Sequence, residues 1–340
     1  MGVMSRETAG ALIEAAFAAA DEHGAVSFAF QGGEPTVAGL DFFRDFVAMV
    51  SAFRPLDRQV SYALQTNGMA LNEEWTHFLK ENQFLVGLSV DGYRELHDHY
   101  RVDTKGDGTY GRVAKALALL QKFEVETNLL CVVTGQCAKH PQKTYASMKK
   151  LGVRYLQFIP CLDPLEEQRG RAVYSLTPKL YGDFLCGLFD QWYRDWAEGH
   201  YTSVRLFDDY VHLAMGEPAS TCAASGGCGS YFVVEADGGV YPCDFYVLDR
   251  WRMGDVHTDS LKQLANDETA SEFLRQGRLR PSRCASCRWV PLCNGGCRRD
   301  WTGGADDTEN YYCESFRRFF EYAADRIGEI AWQERRSRMR

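Results

Sequence analysis

Eight of the chain's twelve cysteines fall between Cys222 and Cys313, and this cluster limits the possible folds more than any other stretch. In order they are Cys222, Cys228, Cys243, Cys284, Cys287, Cys293, Cys297 and Cys313. The run from Cys284 to Cys297 reads C-x2-C-x5-C-x3-C, and thiolates this close on a turning backbone can converge on a soft metal centre. Four thiolates fill a tetrahedral site, so eight match two closed sites, holding either iron-sulfur clusters or zinc ions. Disulfides are a competing reading. They belong to small secreted scaffolds, whereas this chain has 340 residues, shows no apolar signal segment and carries Cys131 inside an apolar run, where it resembles a buried free thiol. Structural zinc competes more strongly, because spacing alone does not separate it from iron-sulfur.

With 45% hydrophobic and 13% aromatic residues the chain can bury one large domain and a smaller appendage. A net charge of -8 argues against nucleic acid or an anionic membrane as the main partner, and the basic tail from Arg335 to Arg340 is too short to reverse that. No apolar run reaches the roughly 18 to 20 residues that cross a bilayer. The expected location is cytoplasmic and reducing, which suits unpaired thiolates.

The first two thirds alternate between two hydrophobic periods. An alanine-rich helix from Ser5 to about Asp21 opens the chain, followed by a short apolar strand, Ala25 to Phe30. Helix 40–53, strand 60–65, helix 72–82, strand 84–90, helix 110–123, strand 127–133, helix 141–151 and strand 154–159 follow. Five strands buried on both faces and alternating with amphipathic helices specify βαβ units and a parallel sheet, open or curled into a barrel. Because the first element is a helix, one sheet edge lacks its neighbour, which is a liability for association. Chemistry in such folds sits at the carboxyl ends of the strands. Those ends carry Gln31-Gly32-Gly33-Glu34-Pro35, Gln65-Thr66-Asn67-Gly68, Ser89-Val90-Asp91-Gly92, Thr134 and Cys161-Leu162-Asp163-Pro164. Gly32 and Gly33 let a ligand approach the backbone, and Glu34 could hold an ammonium group.

An aromatic helix from Thr177 to His200 reads as core through Leu180, Phe184, Leu188, Trp192 and Trp196. A second helix, 204–215, leads to Gly216-Glu217-Pro218, the expected boundary between a domain of residues 1–216 and one of 217–340. Beyond it, 231–235 and 239–241 flank Asp237-Gly238, a hairpin signal that delivers Pro242-Cys243-Asp244 to the cysteine region. A last helix spans about 315–332.

The motifs Q-G-G-E-P, L-Q-T-N-G, G-L-S-V-D-G, Q-F-I-P-C-L-D-P-L, Y-P-C-D-F-Y and C-x2-C-x5-C-x3-C, in this order, resemble anaerobic sulfatase-maturating enzymes. These are radical S-adenosylmethionine enzymes with a C-terminal SPASM domain, and the resemblance runs from about Gly2 to Ile330. It implies an α/β fold: a partial (β/α)6 barrel missing its first strand, followed by a small α+β domain holding two auxiliary [4Fe-4S] clusters. By position, Cys222, Cys228, Cys243 and Cys297 would ligate one cluster and Cys284, Cys287, Cys293 and Cys313 the other. S-adenosylmethionine contacts fall on Gly33, Ser89, Arg101 and Leu162, with Gln31 and Glu34 in the same strand-end motif. The catalytic base falls on Asp244. The resemblance further implies oxidation of a sulfatase cysteine or serine, in a Cys/Ser-x-Pro/Ala-x-Arg type segment, to Cα-formylglycine, with flavodoxin or ferredoxin as reductant.

One feature of such enzymes has no counterpart among these residues: the C-x3-C-x2-C motif whose cluster binds and cleaves S-adenosylmethionine. Gly2 to Arg6 aligns with family sequence just after it, and Cys131, Cys137, Cys161 and Cys186 read as structural thiols. The resulting expectation is a shortened chain that cannot perform the radical step alone. Two rival readings are a cluster-containing peptide-binding or electron-transfer relic, and a SPASM maturase acting on another peptide.

Overall fold

The structure, a computed structural model, describes residues 2–22, 24–54, 58–165, 167–229, 231–303 and 308–338. In chain order its βα part comprises α1 (Arg6–Ala19), β1 (Val26–Phe30), α2 (Leu40–Phe53), β2 (Val60–Thr66), α3 (Glu73–Glu81), β3 (Phe84–Ser89), α4 (Arg94–Tyr100), α5 (Tyr110–Lys122), β4 (Thr127–Val133), α6 (Pro141–Lys150), β5 (Tyr155–Pro160), α7 (Pro178–Ala197), β6 (Ser203–Val204) and α8 (Arg205–Ala214). The six parallel strands take their chain order in the sheet. Short elements follow: α9 (Cys222–Ser225), β7 (Val233–Val234), β8 (Gly239–Tyr241), β9 (Gly254–Asp255), α10 (Leu261–Leu264), α11 (Glu268–Arg278), α12 (Val290–Cys293), β10 (Trp301–Thr302), β11 (Glu309–Asn310) and the long α13 (Cys313–Arg338). Met339 and Arg340 of the basic tail lie outside the described residues. Among those described, no helix is long and apolar enough to cross a membrane.

Two compact units divide the chain, one of Met1–Leu88, Lys115–Thr127 and Gly229–Arg278, the other of Ser89–Ala114, Asn128–Cys228 and Leu279–Arg340. In the first unit α1 begins at Ser5, whose side chain accepts from the Thr8 amide. Its faces serve different partners. Ala9, Ile13 and Phe17 bury against Val26 and Phe28 of β1 and against Phe46 and Val50 of α2. The alanines Ala11, Ala15 and Ala19 pack against the core of the small β7–β9 sheet and α10, formed by Val240, Val256, Leu261 and Leu264. Small side chains permit that second close approach, which is a physical reason for the alanine content.

Strand β1 differs from the expectation of burial on both faces. Val26 and Phe28 are buried while Ser27 and Ala29 are exposed, so the strand alternates. Phe28 and Phe46 meet edge to face at 5.1 Å, whereas the opposite face carries only small residues. Among the described residues β1 pairs with β2 alone. The sheet also has six strands, not five. Ser203 and Val204 pair with Tyr155 and Leu156 of β5, at the position read as a helix start. Two residues offer no period to detect. A third short strand, β9, likewise joins the expected hairpin β7–β8.

In the second unit the aromatic helix buries Phe184, Leu188 and Trp192 of its stripe, while Leu180 and Trp196 toward its ends are only half-buried. Helix α13 packs along α7 and α8. Phe319 lies 5.5 Å from Phe189 and 5.6 Å from Phe207, and the Ser315 hydroxyl donates to the Pro178 carbonyl at 2.6 Å. Gly182 sits where a Cβ would come within 3.2 Å of the Ser315 backbone, so glycine sets the helix separation. This packing anchors Cys313 at the start of α13.

Candidate active site and cluster-binding cysteines

At the end of β1, Gly32 and Gly33 take φ values of 88° and 53°, conformations that disfavour other residues. Nothing lies within 4 Å of where their Cβ atoms would stand, so the backbone there is open to a ligand. Glu34 is largely occupied by the protein. Its Oε1 accepts from the Thr36 amide at 3.1 Å and from the hydroxyls of Thr36 at 2.6 Å and Thr66 at 2.8 Å. Its Oε2 accepts from the Asn67 amide at 2.7 Å. The carboxylate thereby ties the G-G-E-P turn to the end of β2. Gln31 stands exposed beside it.

In the second unit Ser89 ends β3, and Asp91 just beyond it is a buried hub. Its Oδ2 accepts from Arg101 Nε at 2.6 Å, and its Oδ1 accepts from Arg101 Nη2 at 3.3 Å and the Val132 amide at 2.9 Å. His97 fixes this arrangement. Its Nδ1 accepts from the Asp91 amide at 3.2 Å, and its Nε2 lies 3.0 Å from the Thr109 hydroxyl. That hydroxyl donates to the Arg101 carbonyl at 2.9 Å, so it accepts the Nε2 proton and the ring is a neutral tautomer. Burial pushes the imidazole below its ordinary value of 6.5. The stability this neutral ring contributes is therefore complete above pH 6.5, where the unfolded ring is neutral too, and is lost as the pH falls below it. We expect His97→Phe to cost about 1–3 kcal/mol by denaturant unfolding at pH 7.5, since two buried partners lose their bonds. The variant should also show a flatter decline of stability below pH 6.5, and an unchanged acid slope would contradict this.

After β5, half-buried Leu162 precedes Asp163, whose carboxylate accepts from the Gly170 amide at 3.0 Å and from the Ser175 hydroxyl. The Asp163 carbonyl accepts from Arg299 at 2.6 Å, and Arg169 pairs with buried Asp300 at 3.0 Å while also donating to the Arg299 carbonyl. Burial raises the Asp300 carboxyl above the ordinary range despite Arg169. The loop holding Leu162 is thus bonded to the segment that directly follows Cys297. Neither sequence motif hinted at this bridge, because its members lie 130 or more residues apart.

None of the twelve cysteines forms a disulfide. Cys284, Cys287, Cys293 and Cys313 line one cavity of about 310 Å³, together with Trp289, Phe316 and Phe320. Cys297 does not. The backbone explains the exclusion: Asn294, Gly295 and Gly296 all have positive φ, 53°, 88° and 69°, and reverse the chain between Cys293 and Cys297. Cys297 instead opens a 3-10 turn, its sulfur accepting from the Arg299 amide at 3.4 Å. Nearby in the same unit Asn294 donates to the Ala224 carbonyl at 2.8 Å, tying this reversal to the short helix begun by Cys222. Cys228 has Cys222 and Arg298 as electrostatic neighbours.

Four cysteines and no histidine line this cavity, a soft sulfur donor set that suits either a zinc ion or an iron-sulfur cluster. Burial raises the thiols of Cys284 and Cys313 and pushes that of Cys293 up to about 12. A bound metal centre would supply the compensating charge that lets them ionise.

In the first unit β8 ends at Tyr241, and Pro242 and Cys243 lead into a 3-10 turn that presents Asp244 on the surface. The Tyr231 hydroxyl donates to Asp244 Oδ1 at 2.8 Å and lies 3.4 Å from the Cys243 sulfur. Cys243 in turn lies 3.5 Å from the same oxygen. Burial, then Cys243 and Asp244, push the Tyr231 phenol far above its ordinary value, so it remains a donor. The second carboxylate oxygen has no partner among the described residues. Tyr231 was legible in the sequence only as the first residue of a strand, and its pairing with Asp244 comes from hairpin closure.

The arrangement defines a class. A radical SAM superfamily model matches residues 4–148, and an iron-sulfur cluster-binding domain model, SPASM, matches residues 226–288. The chain is 43% identical over 332 residues to a cysteine-type anaerobic sulfatase-maturating enzyme of Clostridium perfringens (strain 13 / Type A), covering 97% of this chain and 89% of that protein. It is 30% identical over 317 residues to a serine-type counterpart of Bacteroides thetaiotaomicron, covering 88% of this chain and 76% of that protein. A solved structure of native anSMEcpe with bound AdoMet and Cp18Cys peptide superposes with a TM-score of 0.94 at 43% identity, covering 98% of this chain and 92% of that one. This chain belongs to the anaerobic sulfatase-maturating enzymes, radical SAM proteins with a SPASM domain.

Proposed function

We propose that this enzyme is of the cysteine type, oxidising an active-site cysteine of a sulfatase to Cα-formylglycine. The carrying observation is the higher identity to a cysteine-type relative, 43% against 30% for a serine-type one. S-adenosylmethionine would supply the 5'-deoxyadenosyl radical that takes a hydrogen atom from the β-carbon of the target residue, once cleaved by one electron from a C-x3-C-x2-C cluster whose ligands are not among these 340 residues. Asp244 accepts the thiol proton, the remaining electron would leave to the adjacent auxiliary cluster, and water then replaces the sulfur of the resulting thioaldehyde, releasing hydrogen sulfide and leaving the aldehyde. Tyr231 supports this role by holding Oδ1, which leaves Oδ2 to face the substrate as general base. Fixing the base beside cluster ligand Cys243 places proton loss close to an electron acceptor.

The proposed ligand sets are Cys284, Cys287, Cys293 and Cys313 for one auxiliary [4Fe-4S] cluster, and Cys222, Cys228, Cys243 and Cys297 for the other. The shared cavity supports the first set, and the exclusion of Cys297 from it supports the division. Gln31, Gly33 and Glu34 in one unit, and Ser89, Arg101 and Leu162 in the other, are the proposed S-adenosylmethionine contacts. Open space at Gly33 and the clamped Arg101 support these roles. A flavodoxin or ferredoxin serves as reductant, and the arginine of the target segment suits an acidic enzyme in the cytoplasm.

Co-expressing the protein, joined to a segment that carries the C-x3-C-x2-C motif, with sulfatase peptides differing only in Cys or Ser at the target position tests the reading. Mass spectrometry should find formylglycine predominantly from the Cys peptide. Preferential conversion of the Ser peptide, or of neither, overturns it.

A further inference from the structure

Cys222 opens α9, a helix of only four residues. One turn does not hold itself in water, because fixing it costs more entropy than its few bonds offset. Among the described residues Cys222 is also the only exposed cysteine, so burial does not fix its thiol. Side chains from elsewhere in the same unit hold both ends of this helix instead.

At the first end the anchor is Asp209 of α8, which is 1% exposed. Its Oδ1 accepts from the Ser220 amide at 2.6 Å and its Oδ2 from the Thr221 hydroxyl at 2.7 Å. The Thr221 oxygen in turn accepts from the Ala224 amide at 3.4 Å, the N-cap bond of α9. Asp209 thereby orients the cap that directly precedes Cys222. A buried carboxylate is costly unless its oxygens are bonded, and here each oxygen is bonded to the segment leading into that cysteine. Arg205, one turn earlier on α8, donates to the Ser220 hydroxyl at 3.2 Å.

At the other end the anchor is Asn294, which follows Cys293 with a φ of 53°. Its Nδ2 donates to the Ala224 carbonyl at 2.8 Å. The Arg280 guanidinium donates to its Oδ1 at 3.0 Å, which sets the way the amide points. Gly226 ends α9 with a φ of 79°, and a Cβ there would come within 2.8 Å of the Asn294 Cβ, so glycine admits the contact.

We propose that Asp209 and Asn294 are positioning residues for Cys222, holding its thiol in place for the auxiliary cluster. This rests on the ligand set proposed above. Groups that orient a metal ligand from behind commonly contribute about 10- to 100-fold to metal affinity. A ligand already in place loses little freedom when the metal binds.

The test reconstitutes wild-type enzyme, Cys222→Ala, Asp209→Ala and Asn294→Gly without oxygen and follows iron loss to bathophenanthroline, with electron paramagnetic resonance reporting on each auxiliary centre. Cys222→Ala identifies the centre concerned as the one it removes. Asp209→Ala and Asn294→Gly should each lose iron from that same centre about tenfold faster than wild type, with the other centre unmoved. Asp209→Asn, which keeps an acceptor for the Ser220 amide, should fall between. Loss at the wild-type rate, or equal acceleration at both centres, overturns the positioning role. Retention of both centres by Cys222→Ala overturns the ligand set instead. Should Asp209→Ala fail to fold, Asn294→Gly decides alone, since glycine keeps the positive φ and removes only the bonds of the side chain.

Discussion

Asp244→Asn should lower formylglycine formation by at least about 100-fold while leaving the iron content and S-adenosylmethionine binding of the enzyme unchanged. General base catalysis commonly contributes 10²- to 10⁴-fold, and the amide is nearly isosteric but cannot take a proton. Tyr231→Phe should cost less, about tenfold, because it removes the donor that orients Oδ1 and leaves the base itself in place. The ordering matters more than either number. If Tyr231→Phe is as damaging as Asp244→Asn, the phenol has a direct chemical role; if Asp244→Asn keeps more than about a tenth of the activity, Asp244 is only a turn residue. Peptide conversion by mass spectrometry, normalised to bound iron, gives both.

The second large effect concerns iron. Cys293→Ala should lose about half of the auxiliary iron, the content of one four-iron site, and so should Cys297→Ala. The double variants separate the sites. Cys284→Ala combined with Cys293→Ala should lose no more than either alone, because both thiols line one cavity. Cys293→Ala combined with Cys297→Ala should lose nearly all of it. If that pair instead retains half, the C-x2-C-x5-C-x3-C run serves one site and the division is wrong. Cys131→Ala is the control: its thiol is fully buried and far up in protonation through its hydrogen bond with Cys137 and burial, so the iron content should not change.

Much of this was readable from the residues. Apart from α4 and β6, each helix and strand of the βα part has a period long enough to see, and the polar strand ends announced where chemistry would sit. Helix α4 was not anticipated, because Arg94–Tyr100 is seven mostly polar residues with only Leu96 and His97 buried. Strand β6 was missed for want of length. The half-exposed β1 was misjudged because Ser27 and Ala29 are tolerated on either a filled or an open face.

What the sequence determined by itself was the inventory: eight cysteines in one third of the chain, a glycine turn before Glu34, and an aspartate beside Cys243. These are local chemical facts that spacing records directly. Only the tertiary structure decided which cysteines share a space, since three consecutive positive φ angles turn Cys297 away from thiols four and more residues behind it. It alone also brought Tyr231 to Asp244 and Arg299 to Asp163. Such pairings join residues 13 to 136 positions apart, and at those separations it is chain reversal and packing, not spacing along the backbone, that sets which groups meet.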